Sequence, residues 1–350
     1  MPYAFSMSYV ICFLEAHFMA HPIHEYQQAH TGCVVFDQSD RGKVAVTGPE
    51  AARFLHNLTT QDVLNLPPGE GREGFAVTVK ARVVAYFFLF HEKTPDGVST
   101  YWLDLPPGTT EKTLQHLDRY RISEQAEFAD RGNDFANLHI AGPRAADVLE
   151  KLSGAPLPPL QELQHSPRAL GDDVNGVVIR HDLLGLLGFD ILFPASHAGA
   201  LSRRLLEAGA TPAGREAYEM LRIEAGTPAF GSEIDENTFV PEVGRARQAI
   251  CYTKGCYLGQ EPIVMARDRG QVNRTLLGLK LTGGPAPHGS LVYRDGKEVG
   301  RVTSSVHSPR LGTIALAYIR RGNQEPGTAV EVEVEEKRRP AVVSALPFTD

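Results

Sequence analysis

Lys254-Gly255-Cys256-Tyr257-Leu258-Gly259-Gln260-Glu261 is the stretch of this chain whose residue types could do chemistry. A lone thiol stands between two glycines, with a lysine two positions before it and a Gln-Glu pair behind. Gly255 and Gly259 permit left-handed backbone and close approach of a ligand. A charge on Lys254 would favour thiolate over thiol at Cys256, the form in which cysteine reacts. Arg245 and Arg247 are further cations able to approach it. The run follows the breaker-rich Pro241-Glu242-Val243-Gly244 and precedes Pro262, so a presenting loop is expected. The plainer reading is a small buried cysteine in a glycine turn. The neighbours favour the reactive thiol.

Other candidates carry less. Arg245, Arg247, Arg267, Arg269 and Arg274 flank the octapeptide and suit an anionic ligand, a phosphate or an acidic partner surface. Pairing with Glu242, Glu261 and Asp268 would account for them equally well. His17, His21 and His24 resemble a ligand set, but Pro22 breaks any helix that would align them, so no metal is assigned. Gly69-Glu70-Gly71-Arg72-Glu73-Gly74 matches the dinucleotide-binding G-x-G-x-x-G pattern literally. Pro67-Pro68 precedes it where a strand should stand, and strand-like residues follow where a helix should start, so the phosphate cradle is excluded.

The chain has 350 residues, 42% hydrophobic and 22% charged, enough for two or three domains with proper cores. A net charge of -7 excludes a general basic field for nucleic acid. Cys12, Cys33, Cys251 and Cys256 include no C-x-x-C spacing, so neither a zinc ribbon nor a disulfide framework is expected, which fits a reducing cytoplasm. The apolar start lacks Lys or Arg before Arg41 and contains Glu15, unlike a signal peptide, and is too short to span a bilayer. Neither a membrane nor nucleic acid is an expected partner, and a monomer is expected.

Elements that could position the octapeptide emerge from periodicity. Val46-Thr47-Gly48-Pro49-Glu50-Ala51-Ala52 leads to Leu55 and Leu58; Ile140-Ala141-Gly142-Pro143-Arg144-Ala145-Ala146 leads to Leu149 and Leu152. The shared offsets read as two strand-turn-helix units, hence two related α+β subdomains side by side. Phe75 to Val79, Val83 to Phe90, Val177 to Arg180 and Ile191 to Phe193 are strand-like, while Thr110 to Arg121, Ser196 to Ala208 (Ser196 as N-cap) and Gly214 to Glu224 are helical. From Leu276 onward six short alternating stretches, with a hairpin signal at Arg294-Asp295-Gly296-Lys297, predict a small antiparallel β-barrel. The fold class is α+β. The expected units are an N-terminal extension over 1–24, a body over 25–275 and the barrel over 276–347.

The octapeptide resembles the K-G-C-Y-x-G-Q-E signature of the YgfZ family of folate-binding proteins, relatives of the glycine cleavage T protein (aminomethyltransferase). Arg222-Ile223-Glu224-Ala225-Gly226-Thr227-Pro228 with Asp235-Glu236-Asn237-Thr238, Leu58-Thr59-Thr60, and Gly296 to Ser304 with Ala315-Leu316-Ala317-Tyr318 are similar to further stretches of that family. The likeness covers roughly residues 25 to 347 and leaves Met19 open as the translation start.

This resemblance implies a tetrahydrofolate-binding body whose cleft lies between the two subdomains, and a role in synthesis or repair of iron–sulfur clusters with the assembly machinery or client enzymes as partners. Asp190, in Gly188-Phe189-Asp190, and Arg222 are carried over as pterin contacts. Gly255, Tyr257, Gly259, Gln260 and Glu261 are carried over as cofactor-binding, and Cys256 with Lys254 as the reactive pair. An aromatic near the ligand in the T protein falls on Leu183. The acids of the T protein's G-x-x-x-D-D segment fall on Ala85 and Tyr86, so aminomethyl transfer is not expected. A folate-dependent one-carbon transferase or demethylase is the alternative, and a binding module without thiol chemistry a third.

Overall fold

The computed structural model describes residues 21–349 apart from Asp172 and Gln271; Cys12, His17 and nearly all of the expected N-terminal extension lie outside the described residues. Helix α1 (Pro22–Thr31) leads into β1 (Val34–Asp37) and β2 (Gly42–Thr47), then α2 (Ala51–Leu58), β3 (Gly71–Val77), β4 (Val83–Lys93), β5 (Ser99–Leu105), α3 (Thr110–Tyr120) and β6 (Glu127–Asp130). The second half of the body holds β7 (Phe135–Ala141), α4 (Ala145–Ser153), β8 (His165–Ala169), β9 (Asn175–Arg180), β10 (Gly188–Pro194), α5 (Ala198–Ala208), β11 (Thr211–Pro212) and α6 (Arg215–Ala225). Two sheets result, ordered β3-β4-β5-β2-β6 and β11-β1-β7-β10-β9-β8.

Each sheet contains one copy of the sequence repeat. In the first, β2 passes through Gly48 into α2; in the second, β7 passes through Gly142 into α4. Both glycines have left-handed backbone, φ +109 and +129, and both are pressed against a carbonyl. Leu55 and Leu58 of one copy, and Leu149 and Leu152 of the other, bury against their own sheet. The amphipathic spacing thus supplies a core to each subdomain. Strand β4 is buried on both faces, which explains its unbroken apolar run: Ala85, Phe87 and Leu89 pack under α2 and α3, while Tyr86, Phe88 and Phe90 face the opposite way.

After α6 the chain wraps the outer edge through short turns, α7 (Ala246–Ala249) and α8 (Gln260–Arg269), and enters the barrel. The strands β12 (Arg274–Leu281), β13 (Leu291–Arg294), β14 (Lys297–Ser308), β15 (Gly312–Arg320), β16 (Ala329–Val334) and β17 (Lys337–Ser344) close antiparallel as β12-β15-β14-β13-β16-β17. The hairpin signal is realised, with Asp295 and Gly296 both at positive φ (51 and 75), as a tight two-residue turn requires. The G-x-G-x-x-G stretch runs from a turn at Gly69 into strand β3, where Gly71 and Gly74 let the Phe90 and Phe87 rings close in. One expectation fails at Ser196: a short 3-10 turn (Ala195–His197) precedes α5, whose N-cap is His197 without a side-chain bond. Among the described residues no helix is long and apolar enough to cross a membrane.

Gly142 offers a test of the repeat geometry, because a Cβ there would lie 2.4 Å from the Gly32 carbonyl oxygen. Gly142→Ala should cost about 1–3 kcal/mol or more from backbone strain and the clash. Urea unfolding measures it, and an unchanged midpoint would refute the turn's constraint.

Candidate functional site

Between the two sheets lies a cavity of about 400 Å³. Its walls come from the end of β1 and the loop after it (Phe36, Asp37, Asp40, Arg41), from β4 (Tyr86, Phe88), and from α6 and the turn that follows (Arg215, Tyr218, Glu219, Arg222, Phe230). Leu183 borders it too. The side chains from α6 fall at positions i, i+3, i+4 and i+7, one stripe of a helix. Five aromatic rings and three carboxylates, Asp37, Asp40 and Glu219, stand in this lining.

Most charged groups of this cavity are already engaged. Arg222 is buried and donates from Nη1 to Glu233 Oε2 (2.9 Å) and the Thr227 carbonyl (2.8 Å), and from Nη2 to Glu219 Oε2 (2.6 Å) and Ser304 Oγ (3.1 Å). Burial alone would lower its pKa, but Glu233 and Glu219 outweigh that and raise it. Arg222 therefore borders the cavity while its donors bolt α6 to the barrel. Arg41 likewise forks onto Asp104, with Nε 2.8 Å from Oδ1 and Nη2 2.7 Å from Oδ2. By contrast Asp37 Oδ1 accepts from the Ser39 N–H at 2.9 Å, but its buried Oδ2 accepts from no described residue.

Asp190 is not brought together with Arg222, which corrects the expected pterin pair. Its carboxylate is buried and accepts from His139 Nδ1 (2.9 Å) and His181 Nδ1 (2.6 Å), and it is absent from the cavity lining. Burial would raise its pKa, but the two imidazoles hold it well below the usual carboxylate range. Nothing in the Gly-Phe-Asp run could reveal this, because His139 lies 51 residues away on the neighbouring strand.

Tyr86 stands on the cavity face, and Ala85 points into the core beneath α2. Only one of these two positions could therefore touch a ligand. The Tyr86 hydroxyl donates to Glu73 Oε1 at 2.9 Å, and Glu73 is in turn held by Arg245, whose Nε lies 2.7 Å from the same oxygen. Burial, and then the Glu73 charge, push the Tyr86 phenol well up. It remains protonated, with its proton committed to Glu73, so toward the cavity it can only accept.

The octapeptide lies elsewhere: none of its residues lines the central cavity. Cys256 is exposed beside an open Gly255, as expected of a presented thiol. Its electrostatic partner is not Lys254. The Lys254 ammonium is buried and donates to the carbonyls of His56, Thr59 (2.8 Å) and Gln61 (2.7 Å), capping the C-terminal end of α2. Burial pushes it down to about 7. Arg245 is spent on Glu73, Arg274 on Glu242 and Arg267 on Asp268, so these arginines follow the pairing reading. Tyr257 is buried in the core, Gly259 (φ +76) abuts the Thr78 carbonyl, and Gln260 and Glu261 open α8. These residues dock the thiol loop. The docking is continued by Cys251 N–H to the Thr60 carbonyl (2.8 Å) and Leu258 N–H to the Asn57 carbonyl (2.9 Å).

Two related sheet-and-helix subdomains around a central cavity, with a barrel bolted to the helix that walls it, define the aminomethyltransferase class of fold. The crystal structure of glycine cleavage system aminomethyltransferase T from Bartonella henselae superposes with a TM-score of 0.84, covering 95% of this chain and 90% of that one at 24% identity, a likeness of fold. The GCVT N-terminal domain matches residues 1–248 and the glycine cleavage T-protein C-terminal barrel domain matches residues 274–350. Proteins named aminomethyltransferase are similar over nearly the whole chain. That of Rubrobacter xylanophilus is 34% identical over 335 residues (93% of this chain, 85% of the relative). That of Thermus thermophilus is 31% identical over 328 residues (93% and 90%). The chain belongs to the glycine cleavage T-protein family.

Two measurements check the loop. Between its depressed value near 7 and its ordinary 10.5, Lys254 binds fewer protons folded than unfolded, so its contribution to stability rises with pH across that window and is least below 7. Lys254→Met should flatten the rise of the urea midpoint over this range; a parent-like slope would show the ammonium is not desolvated. Alkylation followed by mass spectrometry should modify exposed Cys256 first, half-buried Cys251 next and Cys33, whose thiol burial pushes up to about 12, only on unfolding. Equal rates at Cys256 and Cys33 would sink the presented-thiol assignment.

Proposed function

We propose that this protein binds a reduced folate, tetrahydrofolate, in the central cavity and no longer transfers aminomethyl groups. It acts instead in synthesis or repair of iron–sulfur clusters, offering Cys256 to the assembly machinery or a client enzyme. The observation that carries this reading is the cavity wall at Tyr86. The resemblance puts an acid there, and this chain has a phenol whose proton is held by Glu73. A phenol so fixed can receive an N–H from the ligand but offers no carboxylate to steer an ammonium or move its proton. The rings of Phe36, Phe88, Tyr218 and Phe230 suit a pterin face, and Asp37 in the same lining is a carboxylate of the kind that accepts from a pterin's amine. Arg222 is part of this site's wall, whereas Asp190, held by His139 and His181, stands outside its lining. The iron–sulfur role is supported by the octapeptide's likeness to the YgfZ signature and by the exposure of Cys256.

The names of the relatives favour a second reading, a folate-dependent aminomethyltransferase. Three experiments test these readings, and the turnover assay separates them. Calorimetry should register tetrahydrofolate binding, weakened roughly tenfold to hundredfold by Asp37→Asn, the usual loss for a charged hydrogen bond of about 1.5–3 kcal/mol. Glycine-cleavage turnover with a loaded lipoyl carrier should be absent. Turnover on the order of 1 per second or more would place the chain among the transferases. Cells carrying Cys256→Ala should lose activity of cluster-dependent enzymes; full activity would leave folate binding as the whole function.

A further inference from the structure

The two stretches of chain that flank Cys256 meet again in a second, open groove of about 330 Å³. One wall is Tyr252, four residues before the thiol, and another is the last turn of α8, a helix that begins four residues after it. Arg321 and Gln324, just past β15 of the barrel, extend the lining. Tyr252, Tyr257 and Ile263 of α8 share one core cluster, so the thiol turn and the groove belong to one packed unit. Two guanidiniums line the groove and, among the described residues, no carboxylate does. Arg267 lies over the Tyr252 ring, 4.7 Å from its centroid, and gives Nε to Asp268 (2.7 Å). Neither of its Nη groups bonds to a described residue, and the exposed Arg321 side chain forms no hydrogen bond or ion pair with one. Arg247 of α7 and Arg269 of α8 are exposed and equally without described partners. A chain of net charge -7 has thus gathered unspent cations on the segments around its exposed thiol.

We propose that this groove docks an acidic segment of the protein that meets Cys256, with the segment's carboxylates on Arg267 and Arg321 and its sulfur delivered to the thiol. This rests on the reading of Cys256 as a presented thiol and adds to it the chemistry of the partner. Guanidiniums take carboxylates through parallel N–H bonds, and a local cationic patch raises the encounter rate of an anionic partner, an effect that salt screens. The sign is diagnostic. The overall charge repels an acidic peptide, so a preference for one can come only from a local patch.

Thiol–disulfide exchange with three short peptides tests it, each carrying one cysteine activated as a 2-pyridyl disulfide and flanked by glutamates, serines or lysines. The Cys256 thiolate attacks the peptide's sulfur, a new disulfide forms as the old one breaks, and 2-thiopyridone leaves with the proton the thiol gave up. Absorbance gives the rate. Trypsin cleavage after Lys254 separates the fragments holding Cys251 and Cys256, so mass spectrometry assigns the adduct. At low salt the glutamate peptide should react about tenfold faster than the lysine peptide, and high salt should erase the difference. Arg267→Ala combined with Arg321→Ala should remove the preference and leave the serine peptide's rate unchanged. Arg144→Ala, at the start of α4 in the other subdomain, should change none of the rates. A lysine-first order in the parent, or a preference that survives the double variant, would overturn the docking site while the thiol reading stands. So would a double variant slowed toward all three peptides, since these arginines would then tune the thiol instead of reading the partner. Inorganic phosphate at constant ionic strength should leave the preference in place; phosphate that abolishes it would give the groove to a small anion and overturn the assignment. A parent whose Cys256 reacts with none of the peptides would overturn the thiol reading and the docking site together. Thermal melts matching the parent show that the variants are folded.

Discussion

A single buried ionic node on helix α6 holds the molecule together. Arg222 spreads its guanidinium over Glu219, Glu233, the Thr227 carbonyl and Ser304 of β14, and Glu233 also accepts from Ser304 at 2.5 Å. One turn-fraction further, Glu224 accepts from Tyr26 of α1 (2.8 Å), Ser308 of β14 and Arg310 (3.1 Å). Through these two residues the N-terminal helix, the cavity wall, the loop after α6 and the barrel are tied to one another. Such a node is not an economical source of stability, because desolvating the charges offsets much of their attraction. Its consequence is geometric. Losing either partner would strand a buried charge at a cost of about 3–5 kcal/mol, so few alternative dockings of the barrel are tolerable.

The same helix therefore does two jobs on two faces. Its inner face supplies Tyr218, Glu219 and the apolar stem of Arg222 to the cavity, and its outer face packs Ile223 with Leu276, Ile314, Leu316, Tyr318 and Phe348 of the barrel and tail. The barrel contributes none of the cavity's lining residues. Its influence on the ligand site runs through the placement of α6. A second relay couples the opposite wall to the thiol loop: Tyr86 to Glu73, Glu73 to Arg245, and from there through α7 to the segment that carries Cys251 and Cys256. Neither relay requires a residue of the octapeptide to touch the ligand.

Local signals were legible in the sequence because they depend on local rules. The repeat was visible as two Gly-Pro turns with matching leucine offsets, since a strand entering a helix through left-handed glycine leaves that spacing wherever it occurs. The six barrel strands and the Asp295-Gly296 turn followed from alternation and turn chemistry, and the false dinucleotide fingerprint was recognisable from its flanks. Even β4 was plain as a strand. Its run of apolar residues, however, concealed which side of the sheet Ala85 and Tyr86 would face.

What tertiary structure alone decided was the employment of the polar side chains. Lys254 sits two residues from Cys256, yet its three acceptors lie 193 to 198 positions away at the end of α2, and a buried ammonium goes where three carbonyls converge. Asp190 kept the residue type expected of a pterin contact, but His139 of the neighbouring strand and His181 just past β9 engage both of its oxygens. Asp37 and Arg215 were not singled out as site residues, and only the folded chain brings them into the cavity lining. Residue type and spacing state what chemistry a side chain can do. Which partner claims it is a competition among groups distant in the chain, settled by burial and hydrogen-bond geometry that exist only once the chain has folded.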